Sequence, residues 1–239
     1  MTAVIDILIR TYFRDFRWLS LCLRAISAHV QGHRDVVVVM PPSSLERLPA
    51  GHVAFGRGVR ICGCDEYADD YLGQQVTKLN SDAFTDANHV VIVDSDCICN
   101  APCSLQALLF EDSRPVMRYR SRSRRPENDG WRACIRDFHG ASLPFDVVTA
   151  SPWLCPASLF AELRATAERR HRMSIDDWVL GRSLDHVSEI GLLAGQAWLH
   201  RRDDFVWRDE PACWPFRAYW SRSPHADATL TTLSTAFAT

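Results

Sequence analysis

The stretch His89-Val-Val-Ile-Val-Asp-Ser-Asp96 joins a run of β-branched apolar residues to a closely spaced pair of aspartates. Such a run is typical of a strand buried on both faces, as in the centre of a parallel sheet. Asp94 and Asp96 then fall at the carboxyl end of the strand, where open α/β sheets bind their ligands. Their oxygens suit Mg²⁺ or Mn²⁺. Taken alone, the tripeptide is equally compatible with an Asp-rich turn.

The composition predicts one sizeable α/β domain. The chain has 239 residues, of which 47% are hydrophobic and 23% charged. Its net charge of −2 gives no global reason to bind nucleic acid or an anionic membrane. The N-terminus lacks the basic region of a signal peptide, and we find no apolar stretch long enough to span a bilayer. We therefore expect a cytoplasmic protein with reduced thiols.

The nine cysteines are scattered and odd in number. Cys62 and Cys64 form one cluster, and Cys97, Cys99 and Cys103 another, but neither has the paired spacing of a structural zinc site. We interpret them as small buried apolar residues.

The first half of the chain reads as a βαβ unit followed by the strand that ends at Asp94. Gly32 is placed to end the first helix, and Pro41 and Pro42 to break the second strand. The predicted elements are strand Ala3–Ile9, a helix from about Leu19 to Val30, strand Asp35–Met40, strand Val59–Cys62, a helix from Tyr71 to near Asn88, helix Ser104–Phe110 and strand Pro115–Tyr119.

The second half alternates helices with short strands. Ser174 and Asp177 form a helix-capping pattern. After Asp227 the chain is rich in Thr, Ala and Ser, with no reason to pack. The predicted elements are strand Val147–Trp153, helix Pro156–Arg170, a helix from Ser174 to Leu184, helix Val187–Leu199, and short strands Phe205–Trp207 and Arg217–Trp220.

Residues 118–130 contain the only dense positive run, Arg-Tyr-Arg-Ser-Arg-Ser-Arg-Arg over 118–125. It lacks apolar periodicity, which predicts a mobile loop. A solvated loop and a binding surface for an anionic substrate both remain open.

Four stretches together resemble nucleotide-sugar glycosyltransferases of the GT-A fold, in particular a sparsely characterised bacterial and phage-borne group. They are Ile-Leu-Ile-Arg-Thr-Tyr-Phe-Arg-Asp15, Tyr71-Leu-Gly-Gln-Gln-Val-Thr-Lys-Leu79, Val90-Val-Ile-Val-Asp-Ser-Asp96 and Val187-Ser-Glu-Ile-Gly-Leu-Leu-Ala-Gly195. The resemblance covers roughly residues 3–225.

The resemblance implies an α/β GT-A fold: a mixed, mostly parallel sheet flanked by helices in a single domain. Residues 1–226 would form that domain, with a nucleotide-binding half at 1–100 and an acceptor half at 101–226. Residues 227–239 would be a flexible tail. The implied reaction moves a hexose or pentose from a nucleoside-diphosphate sugar to a hydroxyl of a saccharide or lipid-linked acceptor, with Mn²⁺ or Mg²⁺ as cofactor.

The resemblance also assigns residues to the donor. Thr11 and Tyr12 would contact the base and ribose, with Arg14 nearby. Gln75 and Lys78 would lie at the phosphate or sugar. Each has a structural alternative: Tyr12 as a packing residue and Lys78 as a solvated helix residue.

In the resemblance, Asp94 lies near the ribose or the metal, Ser95 lies beside the donor, and Asp96 binds the metal directly. Two carboxylates alone bind a divalent ion weakly, so His225 is the candidate third protein ligand. A lone histidine is more often structural or simply exposed.

For the acceptor half, Glu189 is the candidate base that takes the acceptor's proton in an inverting reaction. Asp177, with Asp176, is the alternative. Ile190 departs from the aromatic residue of the relatives, which leaves the acceptor open, and the stereochemistry is open as well. Trp131 and Trp153 are candidates for stacking on a sugar or a base.

Competing functions remain. Hydroxymethylated bases of phage DNA could be the acceptor, bound through the 118–125 loop. A nucleotidyltransferase would need a Gly-rich phosphate loop after the first strand, and the sequence has none there. A sugar-nucleotide binding module without catalysis is the non-enzyme alternative.

Overall fold

The structure is a computed structural model. It describes residues 3–48, 58–121, 129–147, 149, 151–183, 186–211, 213–221, 223 and 225–236.

Helices and short strands alternate along the described chain. The strands are β1 Ile5–Arg10, β2 Val30–Gln31, β3 Val36–Met40, β4 Val59–Gly63, β5 His89–Ile92, β6 Cys97–Cys99, β7 Cys103–Ser104, β8 Phe110–Glu111, β9 Arg114–Tyr119, β10 Trp153–Pro156, β11 Val206–Asp209 and β12 Phe216–Ala218. The α-helices are α1 Phe16–His29, α2 Pro42–Leu45, α3 Asp70–Leu79, α4 Leu105–Leu109, α5 Asp129–His139, α6 Ala157–His171, α7 Ile175–Leu180, α8 Glu189–His200 and α9 Ala226–Ala236.

The central sheet has the order β10-β5-β1-β3-β4. Strand β1 pairs in parallel with both β3 and β5, β3 pairs in parallel with β4, and β10 pairs antiparallel with β5. Three apolar runs of the sequence thus become adjacent parallel strands, and the predicted βαβ start is confirmed. Because these strands run in one direction, the chain after β1 and after β5 emerges at the same edge of the sheet.

Both faces of the sheet are covered, which explains why its strands are apolar without alternation. Leu8, Val37 and Ile92 belong to a core with the helices α3 and α5 to α8. Their strand neighbours Ile7 and Val38 belong to a second core, on α1, α4 and α9. Successive side chains on a strand point to opposite faces, so each strand supplies both cores.

Several predicted boundaries are wrong. The helix expected to continue to Asn88 ends at Leu79 and is followed by a 3₁₀ turn at Ser81–Ala83. Asn80 leaves the helical conformation, and its side-chain amide donates to the carbonyl of Val76 at 3.0 Å. Asparagine favours such local bonds over continuing a helix.

The strand predicted at Val147–Trp153 is also wrong: the strand begins at Trp153 and runs to Pro156. The preceding segment is held by side-chain contacts, as where the Trp153 indole donates to the Thr149 hydroxyl at 3.0 Å. Val148 and Ala150 lie outside the described residues.

Three helices were not predicted: the four-residue α2, and the longer α5 and α9. α5 follows directly on the basic run, and Cys134, Ile135 and Phe138 along it are buried at helical spacing. α9 occupies the segment expected to have no reason to pack. Ala226 and Leu230 are buried in the second core, so the tail prediction is wrong as far as residue 236.

Among the residues that the structure describes, none of the helices is long and apolar enough to cross a membrane.

His139 at the end of α5 is a buried titratable side chain away from the aspartate pair. Its Nε2 bonds to the carbonyl of Leu192 at 3.0 Å, and its Nδ1 is buried without a partner in the described chain. Burial, with His200, Arg170 and His171 nearby, lowers the pKa of His139 from 6.5 to about 4, although the Leu192 carbonyl opposes this.

We expect His139 to make the folded state acid-sensitive. Its folded pKa lies below the unfolded value, so its contribution is complete above pH 6.5 and is lost as the pH falls from 6.5 to 4. The loss should reach at most roughly 3 kcal/mol. Urea unfolding across this range should show a smaller acid loss for His139→Gln than for the wild type. Parallel losses in the two proteins would contradict the prediction.

Candidate active site

The candidate site lies where β5 ends, beside the amino end of α8. Asp94 and Asp96 follow β5 with the backbone turning sharply, since the Cys97 amide donates to the Asp94 carbonyl at 2.9 Å. The Asp94 amide donates to the Ser151 hydroxyl at 3.3 Å. The predicted placement of the two aspartates at the carboxyl edge of a central parallel strand is therefore observed.

Lys78 links the aspartate pair to Glu189. Its Nζ lies 2.5 Å from Asp94 Oδ1 and 2.8 Å from Glu189 Oε1. The side chains of Lys78 and Glu189 are 4% and 7% exposed, while that of Asp94 is 25% exposed. The structure thus brings together three residues assigned separately, and the alternative of a solvated Lys78 is excluded.

Gln75 fixes the position of Glu189 through the backbone. Its Oε1 accepts the Glu189 amide at 2.8 Å. Gln75 and Lys78 are three residues apart on α3, so they share one face of that helix. Ser188 caps α8 by accepting the Gly191 amide at 3.1 Å. Glu189 is therefore the first residue of α8, two residues after the predicted start, and its carboxylate is buried and paired with Lys78.

The ammonium of Lys78 is charged although its side chain is buried. Burial lowers the pKa of Lys78, but Asp94 and Glu189 together raise it above the ordinary lysine value. Lys78 therefore carries a positive charge between the two carboxylates at neutral pH.

Asp96 is held from the far end of the chain. The Ser221 amide donates to Asp96 Oδ2 at 2.7 Å, and the Tyr219 amide donates to the Asp96 carbonyl at 3.1 Å. Burial and the charge of Asp94 raise the pKa of Asp96, although the Ser221 amide and Lys78 oppose the rise. Asp96 therefore lies in a buried position next to a second carboxylate, and Lys78 only partly offsets the effect of both on its pKa.

The donor set of this pair fits a hard divalent cation. Asp94 uses Oδ1 for Lys78, and its Oδ2 accepts no hydrogen bond from the part of the chain that is described. Within that part, no three His, Cys, Asp or Glu side chains cluster closely enough to hold a metal ion. His225 is exposed beside α9 and is not gathered with the two aspartates. Its role as third ligand stays a prediction.

The predicted donor residues follow β1, the strand next to β5. Thr11 is buried, and its Oγ1 has no partner among the described residues. Tyr12 is half-buried and contacts the Phe13 ring edge-on, with centroids 6.0 Å apart. Arg14 is exposed, with its guanidinium 5.6 Å from the same ring. Ser95 is buried between the two aspartates. Their contacts with a donor stay predictions.

The alternative base, Asp177, has a structural use. It is exposed, its carboxylate accepts the Ser174 hydroxyl at 2.8 Å, and its amide donates back to that hydroxyl at 3.0 Å. Asp176 accepts from the Asn80 side chain at 2.8 Å. Both carboxylates thus cap or join helices, and neither is paired with Lys78.

Neither tryptophan suggested for stacking lies open. Trp153 is 8% exposed and belongs to the core, with Lys78 Nζ 5.9 Å from its ring centre. Trp131 is half-buried on α5.

The start of the basic run belongs to the fold. Arg118 is buried, donates to the Pro152 carbonyl at 2.8 Å and lies 3.9 Å from the Trp214 ring. Arg118 and Arg120 both pair with Glu210. Burial lowers the pKa of Arg118 to about 10. Residues 122–128 of the predicted loop lie outside the described residues, and its last two residues, 129 and 130, begin α5.

Three contributors to the site were missed from the sequence: Ser151, Tyr219 and Ser221. Each acts through a single contact with the aspartate pair, and two of these contacts use only the backbone amide. No residue pattern signals an amide contact across 125 positions.

Comparison with known proteins identifies the fold. No known family and no curated protein matches the sequence. Among solved structures, the chain is similar to the galactosyltransferase LgtC, crystallised with donor and acceptor sugar analogs, with a TM-score of 0.55. The match covers 98% of this chain and 96% of that one at 14% sequence identity. The chain therefore has the GT-A glycosyltransferase fold, which confirms the predicted fold class.

The buried lysine gives a prediction about stability. Lys78→Met leaves the Glu189 carboxylate buried without its cation, which should lower the free energy of unfolding by roughly 3–5 kcal/mol. Adding Glu189→Gln should restore a large part of the loss, because the orphaned charge is removed. Urea denaturation of the four proteins of this cycle measures the coupling. Gln74→Met, on the same helix but only partly buried, is the control and should change stability by less than about 0.5 kcal/mol.

A loss for Lys78→Met that the second substitution leaves unchanged would show that Lys78 contributes through its packing and not through the ion pair.

Proposed function

We propose that this protein is a metal-dependent glycosyltransferase. It moves a sugar from a nucleoside-diphosphate sugar to a hydroxyl of a saccharide or lipid-linked acceptor. The proposal is carried by one observation: in a GT-A fold, Lys78 ties the aspartate pair at the end of β5 directly to Glu189 at the start of α8. A donor-side acid pair and an acceptor-side carboxylate are thus adjacent.

The reaction breaks the bond between the anomeric carbon of the sugar and the diphosphate oxygen. A new bond forms from that carbon to the acceptor oxygen, and the diphosphate leaves with the bonding electrons. The acceptor's proton must go to a base, and Glu189 takes it if the configuration inverts. If the configuration is retained, Glu189 orients the acceptor hydroxyl instead.

Lys78 and Gln75 act on Glu189 before the chemistry. The Lys78 ammonium donates to Glu189 Oε1 at 2.8 Å, and this charge-assisted hydrogen bond fixes the orientation of the buried carboxylate. The Gln75 side chain fixes the backbone from which the carboxylate extends. Together Lys78 and Gln75 hold the Glu189 carboxylate in one position before the acceptor binds.

Asp94 and Asp96 would hold a Mn²⁺ or Mg²⁺ ion. When bound, the ion supplies positive charge that stabilises the leaving diphosphate. Its remaining coordination positions would be filled by diphosphate and water oxygens, with His225 as the predicted additional ligand.

Thr11 supports a donor site beside the metal. A buried hydroxyl without a partner costs free energy unless a ligand satisfies it. We assign the Thr11 hydroxyl, with Tyr12 and Arg14, to the nucleoside, and Ser95 to the phosphate side. Residues 1–100 then form the nucleotide half and 101–226 the acceptor half.

We place the protein in the cytoplasm, since all nine cysteines are free thiols, which suits a reducing compartment. The DNA acceptor gains no support from the described part of the basic run, because Arg118 and Arg120 already pair with Glu210.

Metal removal tests the donor half of the proposal. Released nucleotide is measured after incubation with UDP-glucose, UDP-galactose or GDP-mannose and Mn²⁺. We expect turnover with at least one donor, its loss in excess chelator and its return with added Mn²⁺. Asp96→Asn should lower the rate at least about 100-fold, because the metal loses a charged ligand.

Asp203→Asn, an exposed aspartate in the 3₁₀ turn at Arg202–Asp204, is the matched control and should keep the wild-type rate. Full turnover in excess chelator would exclude the metal mechanism. Nucleotide binding without turnover would indicate the non-catalytic binding module.

Glu189→Gln tests the acceptor half. Transfer to an added saccharide should fall about 10²–10⁴-fold, because the isosteric amide keeps the geometry but cannot take a proton. Product NMR reports the anomeric configuration, and circular dichroism checks the fold. Asp177→Asn is the comparison and should change transfer only a few-fold. A larger loss of transfer for Asp177→Asn than for Glu189→Gln would assign the role of base to Asp177.

A further inference from the structure

Trp220 combines two properties that a surface residue rarely has together. Its side chain is 71% exposed, whereas the other exposed large apolar residues described, Val4, Leu180 and Met173, are only 38–42% exposed. Its backbone φ is 45°, in the left-handed region that glycine tolerates and bulky residues avoid. Both properties cost free energy, and such strain concentrates at functional sites.

The residues on either side of Trp220 are fixed to Asp96. The Tyr219 amide donates to the Asp96 carbonyl at 3.1 Å and the Ser221 amide to Asp96 Oδ2 at 2.7 Å. The Tyr219 ring also stacks on Trp18, with centroids 5.7 Å apart and an interplanar angle of 25°. Trp220 is thus the projecting residue of a turn that is anchored to the candidate metal ligand.

No ring or cation of the described chain lies against the Trp220 indole. The aromatic and cation contacts of this region use Tyr219, with Trp18 on it and Arg217 at 5.2 Å. The indole faces are therefore open to a ligand from solvent.

We propose that Trp220 is the stacking platform for the sugar ring of the acceptor. This deepens the proposed function and rests on it. The electron-rich face of an indole attracts the C–H face of a pyranose, whose hydrogens carry partial positive charge. The anchored backbone leaves few torsions to be fixed on binding, which lowers the entropic cost of stacking.

The acceptor suits this position better than the donor does. Of the residues assigned to the donor, Thr11 and Ser95 are only 1% and 4% exposed, whereas Arg14 at the nucleoside is exposed, so the donor is enclosed on the side nearest the aspartate pair. The acceptor must arrive from solvent beside the diphosphate-bearing site, and Trp220 is exposed next to Asp96. Stacking on Trp220 would select the sugar ring of the acceptor, and Glu189 would act on the acceptor hydroxyl.

The test uses the full-length protein on a printed array of mono-, di- and oligosaccharides, with titration of each bound saccharide by fluorescence. We expect Trp220→Ala and Trp220→Gly to weaken saccharide binding at least about tenfold and Trp220→Phe to stay within about threefold of the wild type. Met173→Ala, which removes an exposed apolar side chain between α6 and α7, is the control and should bind as the wild type does.

Trp220→Gly separates stacking from strain. Glycine adopts a positive φ freely, so this variant should melt at or above the wild-type temperature while losing the saccharide. A higher melting temperature with unchanged binding would overturn the proposal, as would the absence of saccharide binding by the wild type.

Donor hydrolysis by the wild-type protein with Mn²⁺, measured without acceptor, keeps the two proposals distinguishable. Turnover of the donor without any role for Trp220 in saccharide binding would leave the proposed function standing and remove only this inference.

Discussion

The ammonium of Lys78 between Asp94 and Glu189 is the interaction on which the geometry of the site depends. These charges come from three elements: α3, the end of β5 and the start of α8. A buried charge without a partner is strongly unfavourable, so Lys78 and Glu189, the two buried groups, each depend on the opposite charge beside them. The ion network therefore fixes how α3 and α8 lie against the carboxyl edge of the sheet.

A second constraint comes from the C-terminal segment. The amides of Tyr219 and Ser221 hold Asp96, and β12 pairs with β6, the strand that leaves the aspartate turn. Helix α9 then returns to pack on the second core. Residues more than a hundred positions after the aspartates thus shape the turn that contains them. Residues from the whole chain therefore form the candidate site, although its two aspartates lie within one tripeptide.

The sequence predicts the central sheet well because burial on both faces leaves an unmistakable apolar run at β1, β3 and β5. The sequence does not predict elements whose formation depends on tertiary packing. A basic run precedes α5 and hides its start. Helix α9 is rich in Thr and Ala, and its burial is evident only from its contacts with the second core. Lys78 and Glu189 were predicted through resemblance, but their direct contact was not. The spacing of residues in a sequence shows which of them share a helix face. Which helices contact each other can be seen only in the folded structure.

Two ionic clusters lie at opposite ends of the same sheet, and they differ in how fully their carboxylate oxygens are hydrogen-bonded. At the amino end, Asp6 accepts from the Arg34 guanidinium through both oxygens and also from the Asp35 amide and the Thr85 hydroxyl. Both carboxylate oxygens of Asp6 therefore accept hydrogen bonds from within the protein.

At the carboxyl end, Lys78 satisfies one oxygen of Asp94, while Asp94 Oδ2 takes no hydrogen bond within the described chain and the side chain stays 25% exposed. Burial and then the charge of Asp94 raise the pKa of Asp96, and Lys78 only partly opposes this rise. A cluster built only for stability would be closed, as it is around Asp6, because an unbalanced carboxylate pair is costly. Asp94 and Asp96 thus offer a partly exposed carboxylate and a neighbouring acidic group, and these are what the proposed mechanism requires of them.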